Sequence, residues 1–580
     1  MNPFRALNRY ARLLAHYLRP QWPRMVLLAV TLCGAISVQV ITPLVASRFI
    51  DRATSGAALR DLTFLALLTM GLAVAGQGVA VAETYVAEQV SWAATNALRA
   101  DLITHLLRLD STFHTVHTPG ELIERVDGDV ATLSRFFSRF VVNVLGNGVL
   151  VLGVLGLLLY VDWRVGLGLG VFVALALAAM LRIRAIAVPS WAAERQASAD
   201  FYGFLGEYLA GLEDVRSSGA GGFVLRRCAD VMRSWLAVTL KAQMRGYALV
   251  ASSEGLFALG TAVAFALSAV LFTNGTLTIG TVYLVFRYTE MLRQPTEQIG
   301  NEVQDLQQAD AGIGRIEALL STAPRLADGP DIALPPGPLA VELDNVSFAY
   351  AEDAPVLRNV SLCLQPGRVL GVVGRTGSGK TTLTRLLARF YDPLAGTVRL
   401  GGVDVRTVRV AAVRARIGLV SQEVHLFNAS VRDNVTLFDD GVPDDRIHAV
   451  LDTLGLVDWL RELPHGLDTR LGPGGVGLSA GQAQVLAFAR IFLRDPEVVI
   501  LDEASSRLDP VTERLVHSAL GRLLGGRTGV IVAHRLATVA FADDILVLED
   551  GQVREHGPRL ALAADPSSRF AALLRLAAAP

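Results

Sequence analysis

The chain has 580 residues, 52% hydrophobic and 18% charged, with a net charge of −1 and a mean hydropathy of +0.42. Soluble domains carry about 25% charged residues, so an ordinary cytosolic enzyme, a disordered scaffold and a disulfide-rich secreted module are all excluded. A pI near 6.8 leaves no basic footprint for nucleic acid, and Cys33, Cys228 and Cys363 are too few and too scattered for a disulfide framework.

Residues 1–24 contain Arg5, Arg9, Arg12, Arg19 and Arg24 and no acid, which predicts a cytoplasmic N-terminus. Leu7, Leu14, Tyr17 and Leu18 recur among these arginines at a spacing that suits a helix lying on the membrane surface. A short apolar core with a small-residue cleavage site is missing, so no signal peptide is expected. The short lead before the first span also argues against a processing peptidase.

Charge-free runs follow at Met25–Ser47, Leu62–Ala82 and Phe140–Val161, with a shorter one at Val165–Leu181 after the corner Asp162-Trp163-Arg164. A membrane helix needs about 20 apolar residues. The last run, Gly255–Phe286, is interrupted by Thr273-Asn274-Gly275-Thr276, a turn signal that divides it into two spans. Six spans are expected. The long connections, about Glu83–Arg139 and Arg182–Arg245, carry helical periodicity such as Leu98, Leu102, His105, Leu106 and Leu109. They predict helices running on into the cytoplasm, broken at Thr118-Pro119-Gly120 and at Ser217–Gly222. Near the sixth span Arg287 lies about 15 Å beyond Leu277 at the helical rise, with Glu290 one turn further on the same face. Charges at that depth are costly and mark either a substrate pathway or an internal pair.

Residues 323–338 hold five prolines and read as a linker. Beyond Leu339, short β-branched runs alternate with amphipathic helices, an α/β pattern. The expected organisation is therefore a surface helix over 1–24, an all-α membrane domain over 25–322, a linker over 323–338 and an α/β nucleotide-binding domain over 339–580.

Gly374-Arg375-Thr376-Gly377-Ser378-Gly379-Lys380-Thr381 fits the P-loop pattern in full. A strand at Val369–Val373 precedes it and a helix from Thr382 to Phe390 follows. Glycines let backbone N–H groups curl round phosphate oxygens, and the helix N-terminus adds its dipole. Lys380 is expected to reach the β- and γ-phosphates of ATP, and Thr381 to hold Mg²⁺. A second strand, Val498–Leu501, leads to Asp502, a further Mg²⁺ ligand, and Glu503, the general base for the attacking water. Between them, Ser479 reads on its own as a helix N-cap.

Taken together, these motifs and their order resemble the ATP-binding cassette transporters, in particular exporter half-transporters that fuse six membrane helices to one cassette. The resemblance covers the whole chain and implies a role for several further residues. Ser479, Ala480, Gly481 and Gln482 are similar to the signature motif that completes the ATP site of the opposite subunit. Tyr350 looks like the ring that stacks on adenine. Gln422 is similar to the glutamine touching Mg²⁺ and the membrane domain, and Asp509 lies in the loop that signals between the two sites. His534 resembles the residue that contacts the γ-phosphate, and the two turns near Pro119 and Ser217–Gly222 fall where the family places its coupling helices.

Two departures stand out. Ala480 occupies a position where the family usually has Gly, and a Cβ there restricts close approach of the backbone to phosphate. Gly472–Gly477 and Ala483-Gln484 also lack the charged residues that commonly flank the signature. An intact Walker side beside an altered signature is similar to one chain of a heterodimeric exporter, so a heterodimer with a second half-transporter is favoured over a homodimer. The resemblance implies ATP-driven export of a small hydrophobic or amphipathic substrate (drug, lipid or peptide) across the cytoplasmic membrane by alternating access. An importer of the same fold and an ATP-gated channel or regulatory subunit carry the same motifs.

Overall fold

Apolar runs too long for a soluble core become long helices, because a helix bonds all its interior backbone groups to itself. The structure, a computed structural model, describes residues 15–330, 332–351, 354–421, 424–472, 478–502, 510–533 and 536–578. The chain divides into two compact units, one formed by Met1–Leu107 and Pro119–Thr322, the other by Arg108–Thr118 and Ala323–Pro580.

The first unit contains α1 (Trp22–Thr54) and α2 (Leu59–Arg108). The segment Ser111–Val116 (α3) belongs to the second unit. The chain then returns through α4 (Pro119–Ile123), a π-helical stretch at Glu124–Asp129, and α5 (Val130–Arg139). A second π-helical stretch, Phe140–Gly146, opens α6 (Asn147–Val161). It is followed by α7 (Trp163–Ala210), the short α8 (Leu212–Ser217), α9 (Gly221–Thr273) and α10 (Ile279–Ser321). At 50 residues, α2 is about 75 Å long, far more than a bilayer core of about 30 Å requires.

Among the described residues, five helices are long and apolar enough to cross a membrane. The sixth expected span falls within α10, which is helical but is not among those five, because Arg287, Glu290 and Arg293 interrupt its apolar character. The two breaks in the long connections also differ in detail from the sequence expectation. The expected breaks are present at 117–118 and 218–220, and each is preceded by a six-residue helix, α3 or α8. Asp110 caps α3 by accepting hydrogen bonds from the backbone N–H groups of Thr112 at 3.0 Å and Phe113 at 3.3 Å.

The membrane bundle is tied at several depths. The Tyr288 hydroxyl, fully buried, donates to the Val40 carbonyl at 2.7 Å, fixing α10 to α1. At the far ends of the same helices, Asp51 accepts from Gly280 N–H at 2.7 Å and from the Thr278 hydroxyl at 2.8 Å. Toward the other end of α10, Arg315 forms a two-pronged pair with Asp129, which is only 5% exposed. Val154, Leu158, Val165, Ala264 and Leu284 pack between these ties.

In the second unit, β1 (Val341–Ala349), β2 (Pro355–Leu364), β4 (Ala395–Leu400) and β5 (Val403–Asp404) form an antiparallel sheet in the order β2-β1-β4-β5. The second sheet holds β3 (Val369–Val373), β6 (Ile417–Val420), β9 (Val498–Asp502), β10 (Thr528–Val532), β11 (Asp544–Glu549) and β12 (Gln552–Pro558). Its order is β12-β11-β3-β10-β9-β6, parallel except at the β12 edge. The ribbon β7 (Ala429–Ser430) with β8 (Arg470–Leu471) lies in the largely helical stretch between β6 and β9. Strands β3, β9 and β10 are buried along their whole length, as expected of a parallel sheet covered on both faces.

The proline-rich segment is fastened to this unit rather than left loose. Prolines hold the backbone extended and leave its carbonyls without ladder partners, and arginines, one of them buried, supply donors. Arg389, 1% exposed, donates to the carbonyls of Ala327 at 2.9 Å and Val408 at 2.6 Å. Arg416 donates to Pro335 O at 2.8 Å, and Arg325 N–H reaches Asp110 at 2.7 Å.

Candidate functional site

Ligands of open parallel sheets bind beyond the carboxyl ends of the strands, where the loops gather. Here β3 ends at Val373 and β9 at Asp502, with β10 between them. Gly377 has φ +84° and Gly379 φ +101°, conformations that cost a residue with a Cβ about 1–2 kcal/mol. A Cβ on Gly379 would also meet Leu357 Cδ2 at 2.6 Å. The helix after the loop, α11, begins at Lys380 and ends at Leu387. It starts earlier than the predicted Thr382, so its orphan N–H groups sit against the loop itself.

Lys380 is 5% exposed, and its ammonium donates to the carbonyls of Gly374 and Arg375, each at 2.9 Å. These bonds hold the lysine head inside the loop. The Ser378 hydroxyl is buried without a hydrogen-bond partner. A buried donor left unpaired is costly, and beside a helix N-terminus it fits a phosphate oxygen. Arg375, Thr376 and Gly377 face solvent, whereas Thr382 is buried. Thr381 Oγ1 lies 3.5 Å from Asp502 Oδ1. A hydroxyl and a carboxylate oxygen at that separation are hard donors suited to Mg²⁺. The residues present therefore fit both a nucleotide phosphate and its cation.

Tyr350 follows β1 directly and is 41% exposed. Its ring stands edge-on to Phe348 at 5.0 Å and to Tyr391 at 5.3 Å. Its hydroxyl lies 3.1 Å from Thr382 Oγ1 and accepts from Arg385 at 3.4 Å, bringing the exposed ring beside α11. The sequence reading did not single out Arg385.

Ser479 opens α12 (Ala480–Arg494) with a full capping box. Its hydroxyl accepts from Gln482 N–H at 3.2 Å, and Gln482 Oε1 accepts from Ser479 N–H at 2.9 Å. The local N-cap reading of Ser479 is thus realised, and Gly481 is buried. Further along α12, Arg490 donates to Asn434 O at 2.7 Å and His425 O at 3.0 Å. Burial pushes its guanidinium below the ordinary arginine value. Gln422, Glu503, Asp509, His534 and the Ala480 side chain lie outside the described residues, as do 1–14 and the glycines of 473–477.

The first unit contains a cavity of about 800 Å³ between α1, α2, α10 and the start of α6. Arg287 and Glu290 both line it and pair at 2.9 Å, with side chains 49% and 47% exposed. The sequence left a pathway and an internal pair as alternatives; the two residues are paired and also border the cavity. Asn147 bridges to Gln298 at 2.6 Å in the same wall. Glu83, also in the lining, is not marked by the sequence pattern, because the charge-free run ends at Ala82.

Comparison with known proteins yields two family profiles. Residues 25–295 match the ABC transporter transmembrane region, and residues 357–506 match the family described as ABC transporter. The chain is 30% identical to an ATP-dependent lipid A-core flippase of Photorhabdus laumondii, covering 86% of each protein. It is 31% identical to the protein of the same description from Chromohalobacter salexigens, over 98% of this chain and 97% of that one. In fold it is similar to a solved bacterial Atm1-family ABC exporter with ATP bound. That match has a TM-score of 0.80 and 24% identity, and covers 96% of this chain and 98% of the other.

Proposed function

The chain belongs to the ABC transporter family, an exporter half-transporter whose ATPase cassette drives export across a membrane, and on that premise we propose how its residues carry out the cycle. The membrane domain spans 25–322, preceded by a surface helix over 1–24. A linker over 323–338 leads to the cassette, 339–580. The protein sits in the cytoplasmic membrane with its N-terminus and cassette in the cytoplasm. It works as a dimer with a second half-transporter, a heterodimer being favoured by Ala480 and the uncharged signature flanks.

Gly374–Thr382 hold the triphosphate of ATP, with Lys380 on the β- and γ-phosphates and Tyr350 stacked on adenine. Thr381, Gln422 and Asp502 hold Mg²⁺, which when bound neutralises phosphate charge. Glu503 takes a proton from the attacking water, and His534 contacts the γ-phosphate. The partner's signature closes over the nucleotide, and Ser479–Gln482 does the same for the partner's site. Asp509 belongs to the loop that signals between the two sites. ATP shifts the population toward the closed cassette dimer because it binds that state better than the open one. α3 and α8 carry the closure to the membrane helices. The substrate is small and amphipathic (drug, lipid or peptide), and Arg287 and Glu290 lie on its path.

One observation supports this reading above the others: a loop that encloses a buried lysine, with Thr381 and Asp502 converging beside it, in a chain that also carries long apolar helices. The test is ATP turnover of the reconstituted dimer. Glu503→Gln is expected to retain ATP while turnover falls at least about 100-fold. Turnover at the wild-type rate would remove Glu503 from its role.

A further inference from the structure

Glu83 is the feature of the cavity that the nucleotide cycle does not use. It follows the apolar run Leu62–Ala82 on α2 and is 7% exposed. Its carboxyl borders the cavity yet makes no hydrogen bond or ion pair with any described residue. Every other ionisable group that can carry a full charge in the described lining is satisfied, since Arg287 is paired with Glu290 at 2.9 Å. One cation against two carboxyls leaves the described lining with a net excess of one acid. The rest of its polar surface is neutral amide and hydroxyl, including Gln39, Gln77 and Gln294.

A carboxyl on a largely buried residue, its oxygens accessible at a cavity and without a protein partner, marks a ligand or ion site in a membrane protein. Charge complementarity decides the sign of that ligand. An anionic headgroup would meet Arg287 already neutralised and Glu83 repelling it. A cationic headgroup would supply the missing partner, with its apolar body against Leu32, Ile36 and Leu72. Resting on the export reading above, we propose that Glu83 is a cation-recognition residue, and that the cavity selects amphipathic organic cations over anions of the same shape.

The probes are tetraphenylphosphonium and tetraphenylborate, a cation and an anion of nearly equal size and shape. Saturable binding of each to the full-length dimer in nanodiscs is measured without nucleotide, after subtracting partition into empty nanodiscs. Tetraphenylphosphonium is expected to bind the wild type at least about tenfold more tightly than the anion, the scale of one charge-assisted contact. Glu83→Gln should remove that preference, and Glu83→Asp should retain it. Equal binding of the two probes to the wild type would overturn the proposal, and that comparison needs no variant to fold. A preference that survives intact in Glu83→Gln would overturn it as well. Wild-type ATP turnover tests the export reading separately, so failure of one is distinguishable from failure of the other.

Discussion

At the phosphate loop, the groups that face a ligand are largely backbone, presented by Gly377 and Gly379 in conformations with positive φ and by the first turn of α11. In the cavity of the first unit they are side chains, Glu83, Arg287 and the amides around them, on helices whose backbone is already bonded to itself. The first construction needs particular residues at fixed short spacing, because only glycine follows that path. The second needs only that distant residues reach a common face once the helices pack. Chemistry made from backbone is therefore rigid and readable, whereas chemistry made from side chains is open to change.

The contrast can be tested most severely at Lys380. Lys380→Ala removes the buried ammonium that links the loop carbonyls, and ATP turnover by the reconstituted dimer should fall at least about 100-fold. Gly379→Ala should be next in size. The positive φ and the contact with Leu357 predict a loss of about 1–3 kcal/mol of cassette stability, measured as a lower melting temperature by calorimetry. In the cavity, Gln77→Leu changes an exposed side chain on α2 and should change stability, read by the same calorimetry, by no more than about 0.5 kcal/mol. A large loss there, or none at Gly379, would erase the distinction between the two constructions.

The same distinction explains what the sequence reveals. Both P-loop strands are legible because a strand buried on both faces must be continuously apolar, as Val369–Val373 and Val498–Leu501 are. The P-loop itself is legible from its glycines. The start of α11 is less so, since Lys380 and Thr381 serve the loop and the helix at once. The tethering of the linker by Arg389 and Arg416 escapes sequence reasoning, because those donors lie far along the chain from the carbonyls they satisfy. Glu83 escapes for a related reason. A search for charge-free runs stops at the first charge, which is where the cavity's unpaired carboxyl stands. The pair Arg287–Glu290 is visible as an i,i+3 spacing, but its place in a cavity wall depends on α1 and α2. The π-helical stretch at Phe140–Gly146 has no glycine or proline signal at its start, yet it supplies Asn143 and Gly146 to that wall.

The central claim is that nucleotide at the Lys380 pocket controls access to the cavity. Its most direct test places a single cysteine at Gln77 in the Glu503→Gln protein, with Cys33, Cys228 and Cys363 replaced by serine. The rate of labelling by a membrane-impermeant thiol reagent from the cassette side is then followed in proteoliposomes. ATP with Mg²⁺ is predicted to slow labelling at least about tenfold, as a population shift of that size requires. An unchanged labelling rate with ATP demonstrably bound would contradict the account.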